Sequence, residues 1–129
     1  MARPIWCAMT RSYALLALRL ALTIAFIYYG LRKLGSDPRD VAIYEAIGFG
    51  QFPRFITGSV ELIGAALLWV RGWRGIGGAL LFVTMCIGLT ALLLWVGPPY
   101  WHMLVLMAGS ATIAVAYRKD ITRRLPSGQ

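Results

Sequence analysis

The chain has 129 residues, of which 59% are hydrophobic and 14% charged, and its mean hydropathy is +0.67. A soluble domain is about half apolar and about a quarter charged, so this composition excludes disorder and argues against a water-soluble globule. Thirteen Lys and Arg against five Asp and Glu give a net charge of +8 and a pI near 10.2, which suits nucleic-acid binding only if the cations cluster on one solvated face.

A membrane-spanning helix takes roughly 20 mostly apolar residues, and four segments approach that length. The first runs from about Ser12 to Leu34. It is too long for a signal peptide, Arg19 interrupts it and no small-residue cleavage site follows, so it reads as an uncleaved span. Ser12, Leu16, Arg19, Thr23, Phe26, Gly30 and Lys33 recur at alternating four and three, which is one face of a helix in a left-handed bundle.

The connection from Gly35 to Arg54 is the longest. Ser36-Asp37-Pro38 supplies a capping side chain followed by Pro in a first turn. Val41, Tyr44 and Ile47 follow at helical spacing, and Gly48 and Gly50 end the run. The prediction is a short amphipathic helix on the outer interface, acting either as a connector over the bundle or as a lid over a lipophilic substrate.

The second span covers about Phe55 to Val70, with Thr57, Gly58, Glu61, Gly64 and Ala65 on one face. The third covers about Ile76 to Val96, with Gly77, Leu81, Thr84, Gly88 and Ala91 on one face. The fourth covers about Trp101 to Tyr117, with Ala108, Gly109, Ser110 and Ala111 at its middle. Small residues let helix backbones approach closely. The expected fold is therefore all-α: a single polytopic membrane domain over residues 1–129, built as a four-transmembrane-helix bundle.

Four spans put both tails on one side. That side holds Arg3, Arg11, Arg71, Arg74, Arg118, Lys119, Arg123 and Arg124, against Arg32, Lys33, Arg39 and Arg54 on the other. By the positive-inside rule the short tails at both ends are cytoplasmic. The basic pI then reports topology, and no surface is left for nucleic acid. Trp6, Tyr13, Trp69, Trp73 and Tyr117 lie near the inner span ends, and Tyr28, Tyr29, Trp95, Tyr100 and Trp101 near the outer ends, as two aromatic belts. Cys7 and Cys86 form no CxxC and support neither a redox dithiol nor a disulfide. A single histidine gives no expectation of a metal site.

Two ionisable residues lie deep in spans, where charge is costly and is normally turned inward and paired. Measured from the inner span ends, Arg19 lies at a depth of about 10 Å and Glu61 at about 15 Å, with Lys33 about 16 Å above Glu61. The expectation is a buried Arg19–Glu61 pair, serving either to fix helix register or to line a cavity for a polar head or relay a proton. Lys33 either snorkels to the outer headgroups or closes an outer pocket. Tyr29 and His102 lie at the same level as candidate ligand-binding residues, alongside Tyr28. Nothing forms a nucleophile–base–orienter set.

Arg19-Leu20-Ala21-Leu22, then Phe26, Gly30 and Lys33-Leu34, resemble the first-helix pattern of DoxX-like membrane proteins. Gly58, Glu61-Leu62 and Gly64, followed by Arg74, resemble that family's second-helix pattern. The resemblance spans roughly Arg19 to Met85 and implies a small four-helix protein of the bacterial cytoplasmic membrane. It also implies association with thiosulfate:quinone oxidoreductase, terminal oxidase or redox-stress assemblies. By the same resemblance Arg19, Lys33 and Glu61 carry over as functional candidates. Two distant Cys and one His cannot hold a haem or cluster unaided, so a redox centre would belong to a partner subunit. The expected function is a quinone- or lipophile-binding accessory subunit of a redox-linked membrane complex, with a membrane or redox protein partner or a second copy of the chain. The alternative is a membrane chaperone or structural scaffold. A small transporter ranks third, since no inverted repeat or broken helix supports it.

Overall fold

A computed structural model of the chain describes residues 5–97 and 100–122, with side chains from residue 10 onward. Every regular element among them is helical: α1 Ile5–Leu34, α2 Pro38–Ile47, α3 Phe52–Leu67, α4 Arg74–Ala91, α5 Trp101–Ala116 and the short α6 Arg118–Thr122. A π-helical turn, Leu92–Val96, continues α4. The long helices α1, α3, α4 and α5 pack as a ring in which α1 meets α3 and α5, and α4 meets the same two. Each runs antiparallel to its neighbours. Two ends result: α2 covers one, and the N-termini of α1 and α4 share the other with the C-termini of α3 and α5.

The α2 helix forms where its punctuation dictates. Asp37 Oδ1 accepts from the Arg39 backbone N–H at 2.9 Å, Pro38 occupies the first turn, and Gly48 ends the helix at φ 89°, a left-handed conformation that a Cβ disfavours. Its inward face carries Asp40, Val41, Ile43, Tyr44 and Ile47. The most buried of these is a carboxylate, Asp40, 4% exposed.

Boundaries differ from expectation at three places. α1 begins at Ile5 rather than near Ser12. α3 starts at Phe52, with Pro53 in its first turn, and ends at Leu67, so it lies three residues closer to the N-terminus than the predicted second span. The tail after α5 folds into α6, where Asp120 Oδ2 accepts from the Gly75 N–H at 3.3 Å.

Phe26, Leu68, Leu81 and Ile113 are fully buried. They belong in order to α1, the end of α3, α4 and α5, so each long helix or its terminus contributes one residue to the core. The α1–α3 seam is set by glycine. A Cβ on Gly30 would sit 3.0 Å from Leu62 and 3.1 Å from the Gly58 carbonyl, and a Cβ on Gly58 would sit 3.0 Å from Lys33 Cβ. The two backbones therefore pack almost in direct contact.

Outside the ring the helices are apolar. Leu20, Ile24, Leu31, Ile63, Val83, Ile87, Leu104 and Val105 are each more than half exposed. Thr10–Leu34 and Arg74–Val96 are long and apolar enough to cross a membrane; α5 is apolar but shorter. α3 and α5, with 16 residues each, rise about 24 Å. Exposed aromatics gather at both ends, with Tyr13, Trp69 and Trp73 at one and Tyr28, Trp95 and Trp101 at the other. Trp6 lies outside the residues whose side chains are described, as do Cys7, Arg3, Arg123 and Arg124.

Candidate functional site

Polar side chains concentrate where α2 covers the ends of α1 and α3. Lys33 Nζ donates to Glu61 Oε1 at 2.7 Å, with Glu61 fully buried and the Lys33 side chain 13% exposed. The second carboxylate oxygen, Glu61 Oε2, is buried without a hydrogen-bond partner among the described residues. About two turns before Glu61 on α3, Arg54 is 3% exposed. Its Nε donates to Gln51 Oε1 at 2.9 Å, its NH1 donates to the Lys33 carbonyl, and its guanidinium covers the Phe55 ring at 4.3 Å. Gln51 Nε2 then donates to the Val41 carbonyl at 3.2 Å, which ties α2 to the start of α3.

Arg32 completes the cover: its Nε donates to Asp40 Oδ2 at 3.0 Å and its guanidinium lies 5.4 Å from the Tyr29 ring. Tyr29 stacks on His102 at 5.8 Å and receives Lys33 Nζ at 5.9 Å over its face. Tyr44, from α2, stands beside this group. Burial pushes its phenol above the ordinary value near 10, and the Glu61 and Asp40 charges add to the shift, against a hydrogen bond with Thr57 and the Arg54 charge. At the solvent edge hydrogen bonds from the Arg39 side chain and backbone N–H hold the Asp37 carboxyl down to about 2. A shallow cleft of about 350 Å³ opens beside Tyr28, Arg32 and Asp37.

The predicted Arg19–Glu61 pair does not form. Arg19 NH1 instead donates to the Leu68 carbonyl at 3.0 Å, and its guanidinium lies over the Trp69 ring at 4.7 Å. Trp69 Nε1 donates in turn to Thr23 Oγ1 at 2.6 Å. The physical reason is register. Aligning Ser12 with Val70 as inner ends places α3 too deep along α1. With Gly58 against Gly30, and Leu68 against Arg19, Glu61 comes level with the turn from Ile27 to Gly30, where the long Lys33 side chain reaches it. Arg19 then stands at the C-terminus of α3, about 10 Å along the axis from Glu61, where unpaired carbonyls and the negative end of the helix dipole favour a cation.

Four of the five predicted site residues, Lys33, Glu61, Tyr29 and His102, thus lie in one neighbourhood, and Arg19 lies at the opposite end. Arg54, Tyr44 and Asp40 are additional. Arg54 was within reach of the sequence: Arg54, Gly58, Glu61, Ala65 and Leu68 continue one helical stripe, and all five are buried. Asp40 and Tyr44 carry no such signal, because they enter through a separate helix. No group of three or more His, Cys, Asp or Glu comes together among the described residues.

Charge divides sharply between the ends. Around α2, Arg32, Lys33, Arg39 and Arg54 face Asp37, Asp40, Glu45 and Glu61, four against four. At the opposite end the described residues include six cations, Arg11, Arg19, Arg71, Arg74, Arg118 and Lys119, against Asp120. All three ion pairs among the described residues belong to the α2 end.

No family model, curated protein or solved structure matches the chain.

Proposed function

We propose that this protein is a four-span integral membrane protein of the bacterial cytoplasmic membrane, with both termini in the cytoplasm. In this reading it holds the polar head of a lipophilic molecule beneath α2, as a non-catalytic accessory subunit of a redox-linked complex. The observation that carries the reading is the buried Lys33–Glu61 pair, whose carboxylate keeps one oxygen without a partner. A buried acceptor without a partner costs about 1–3 kcal/mol, and a ligand hydroxyl donating to Glu61 Oε2 would recover that cost.

A quinol fits the unpartnered acceptor, since its hydroxyl donates to Glu61 Oε2, and its oxidised quinone form fits the donor set. Its carbonyls need donors, and the Lys33 ammonium has two N–H groups beyond the one given to Glu61. The neutral Tyr44 phenol is another, and the Tyr29–His102 stack offers an aromatic wall. The apolar exterior and the predominance of cations on the side holding both tails support the topology. The resemblance to DoxX-like proteins supports the redox association.

A scaffold reading is favoured by one observation. Gly30 and Gly58 close the α1–α3 seam beside the pair, and a buried pair at a tight seam is suited to locking helix register. Extraction of the purified protein, followed by mass spectrometry of the co-purifying lipophiles, separates the two. The binding reading expects a quinone or related lipophile in wild type, its loss in Glu61→Gln and Lys33→Met, and its retention in Arg19→Gln. A ligand-free wild type that keeps a stoichiometric protein partner overturns the binding reading in favour of the scaffold.

A further inference from the structure

A second, separate site lies at the end of the bundle opposite α2. A cleft of about 440 Å³ opens there between α1, α4 and the end of α5, lined by Arg11, Ser12, Arg19, Arg74 and Tyr117. Three cations thus border one concavity, and no described acid pairs with any of them. Arg19 is 7% exposed, yet its Nε has no hydrogen-bond partner among the described residues, and Arg74 Nε is likewise buried and unpartnered. The Tyr117 ring holds both guanidinium groups in place, at 5.9 Å from Arg19 and 5.5 Å from Arg74. Asp120, the acid of this end, is spent on the Gly75 N–H at the start of α4.

Like charges do not gather in a partly buried cleft without cost. Guanidinium groups offer donors on several edges and match the oxygens of a phosphate, often two at a time. Ser12 adds a hydroxyl at the rim. The surrounding end of the molecule, with six described cations against one acid, supplies a field that draws anions toward the cleft.

We propose that this cleft is a binding site for a phosphate-bearing anion, held by Arg19 and Arg74 with Arg11 closing the mouth. The same chemistry is offered by the headgroup of an anionic phospholipid in the adjoining leaflet and by a free phosphate compound from the aqueous side. The site is independent of the Lys33–Glu61 group and stands or falls apart from it.

The test uses the full chain purified in an uncharged maltoside detergent. Thermal unfolding followed by tryptophan fluorescence is titrated with inorganic phosphate against chloride at matched ionic strength. A second series compares dihexanoyl phosphatidylglycerol with dihexanoyl phosphatidylcholine. Stabilisation by phosphate marks a free anion as ligand; stabilisation by phosphatidylglycerol alone marks a lipid headgroup. Arg11→Gln and Arg74→Gln are expected to raise the midpoint concentration about tenfold or more each, and Arg39→Gln at the other end to leave it unchanged. Arg11 is exposed, so its variant folds even if Arg74→Gln does not. Failure of both probes to stabilise the wild type overturns the proposal. An unchanged midpoint in Arg11→Gln, or an equal shift in Arg39→Gln, does so too.

Discussion

Removing the ammonium from Lys33 tests the reasoning about the buried pair most directly. In Lys33→Met, Glu61 keeps its fully buried position and loses the group that balances its charge, while Oε2 already lacks a partner. Breaking a buried ion pair in this way costs about 3–5 kcal/mol. The reverse truncation is cheaper. In Glu61→Leu the stranded ammonium sits on a side chain that is 13% exposed and near the end of α1, from which it can swing outward, so a cost of about 1–3 kcal/mol follows. The double variant Lys33→Met/Glu61→Leu leaves neither charge behind and fills the space with apolar atoms, and such replacements are often neutral or stabilising. The two single costs are therefore expected to cancel by at least about 2 kcal/mol in the double variant. Equilibrium unfolding in mixed micelles of rising dodecyl sulfate fraction, read by tryptophan fluorescence, measures all four proteins. A parallel cycle with Arg19→Leu and Glu61→Leu is expected to be additive within about 0.5 kcal/mol, because the two share no partner. Additivity for Lys33 with Glu61, or strong coupling for Arg19 with Glu61, would refute the register on which the site is built.

Gly58→Leu places a branched side chain against Lys33 Cβ, Leu34 and the Gly30 carbonyl, and overpacking of this kind costs about 1–3 kcal/mol or more; a lower unfolding midpoint checks it, and wild-type stability would contradict the close seam. Ser110 is fully buried and its hydroxyl is unpartnered among the described residues, so Ser110→Ala is expected to be neutral or to stabilise by up to about 1 kcal/mol in the same assay. Asp37 has a depressed pKa, so the stability it lends to α2 is complete above its unfolded value near 3.8 and is lost as pH falls through about 2. Amide exchange at the start of α2 is expected to stay slow at pH 4 and to rise in Asp37→Ala, and unchanged protection in that variant would show that the cap contributes nothing.

What the sequence could convey depended on whether a signal was local. The α2 helix was legible because Asp37, Pro38 and Gly48 each act within one turn of their own position. The inward faces of α1 and α3 were legible because a period near 3.5 selects Arg19, Gly30 and Lys33 on one and Gly58 and Glu61 on the other. The pairing between those faces was not, since it depends on how far one helix slides along its neighbour. That offset is fixed by the Gly30–Gly58 contact, by Leu68 reaching Arg19, and by where α3 stops, and an apolar run does not mark its own level. An offset of about two turns was enough to exchange Lys33 for Arg19 as the partner of Glu61. Asp40 and Tyr44 were hidden for a related reason, because a separate helix contributes side chains to a site only once its docking is known.

Arg19 and Arg54 turn out to perform the same local task at opposite ends. Arg19 donates to the Leu68 carbonyl at the C-terminus of α3, and Arg54 donates to the Lys33 carbonyl at the C-terminus of α1. Helix C-termini leave carbonyls without intrahelical partners, and in an apolar setting water does not supply the missing donors. A buried arginine at such a point is thus a structural donor first, whichever ligand it also meets. The two differ in what remains after that bond. Arg54 gives its Nε to Gln51 and sits among balanced charges, so both its Nε and its NH1 are engaged within the fold. Arg19 keeps Nε free, shares the Tyr117 ring with Arg74, and stands at the end where cations outnumber acids six to one among the described residues. The spare donor and the uncompensated field coincide only there, which is why the anion site is assigned to Arg19 and the mirror position at Arg54 is not.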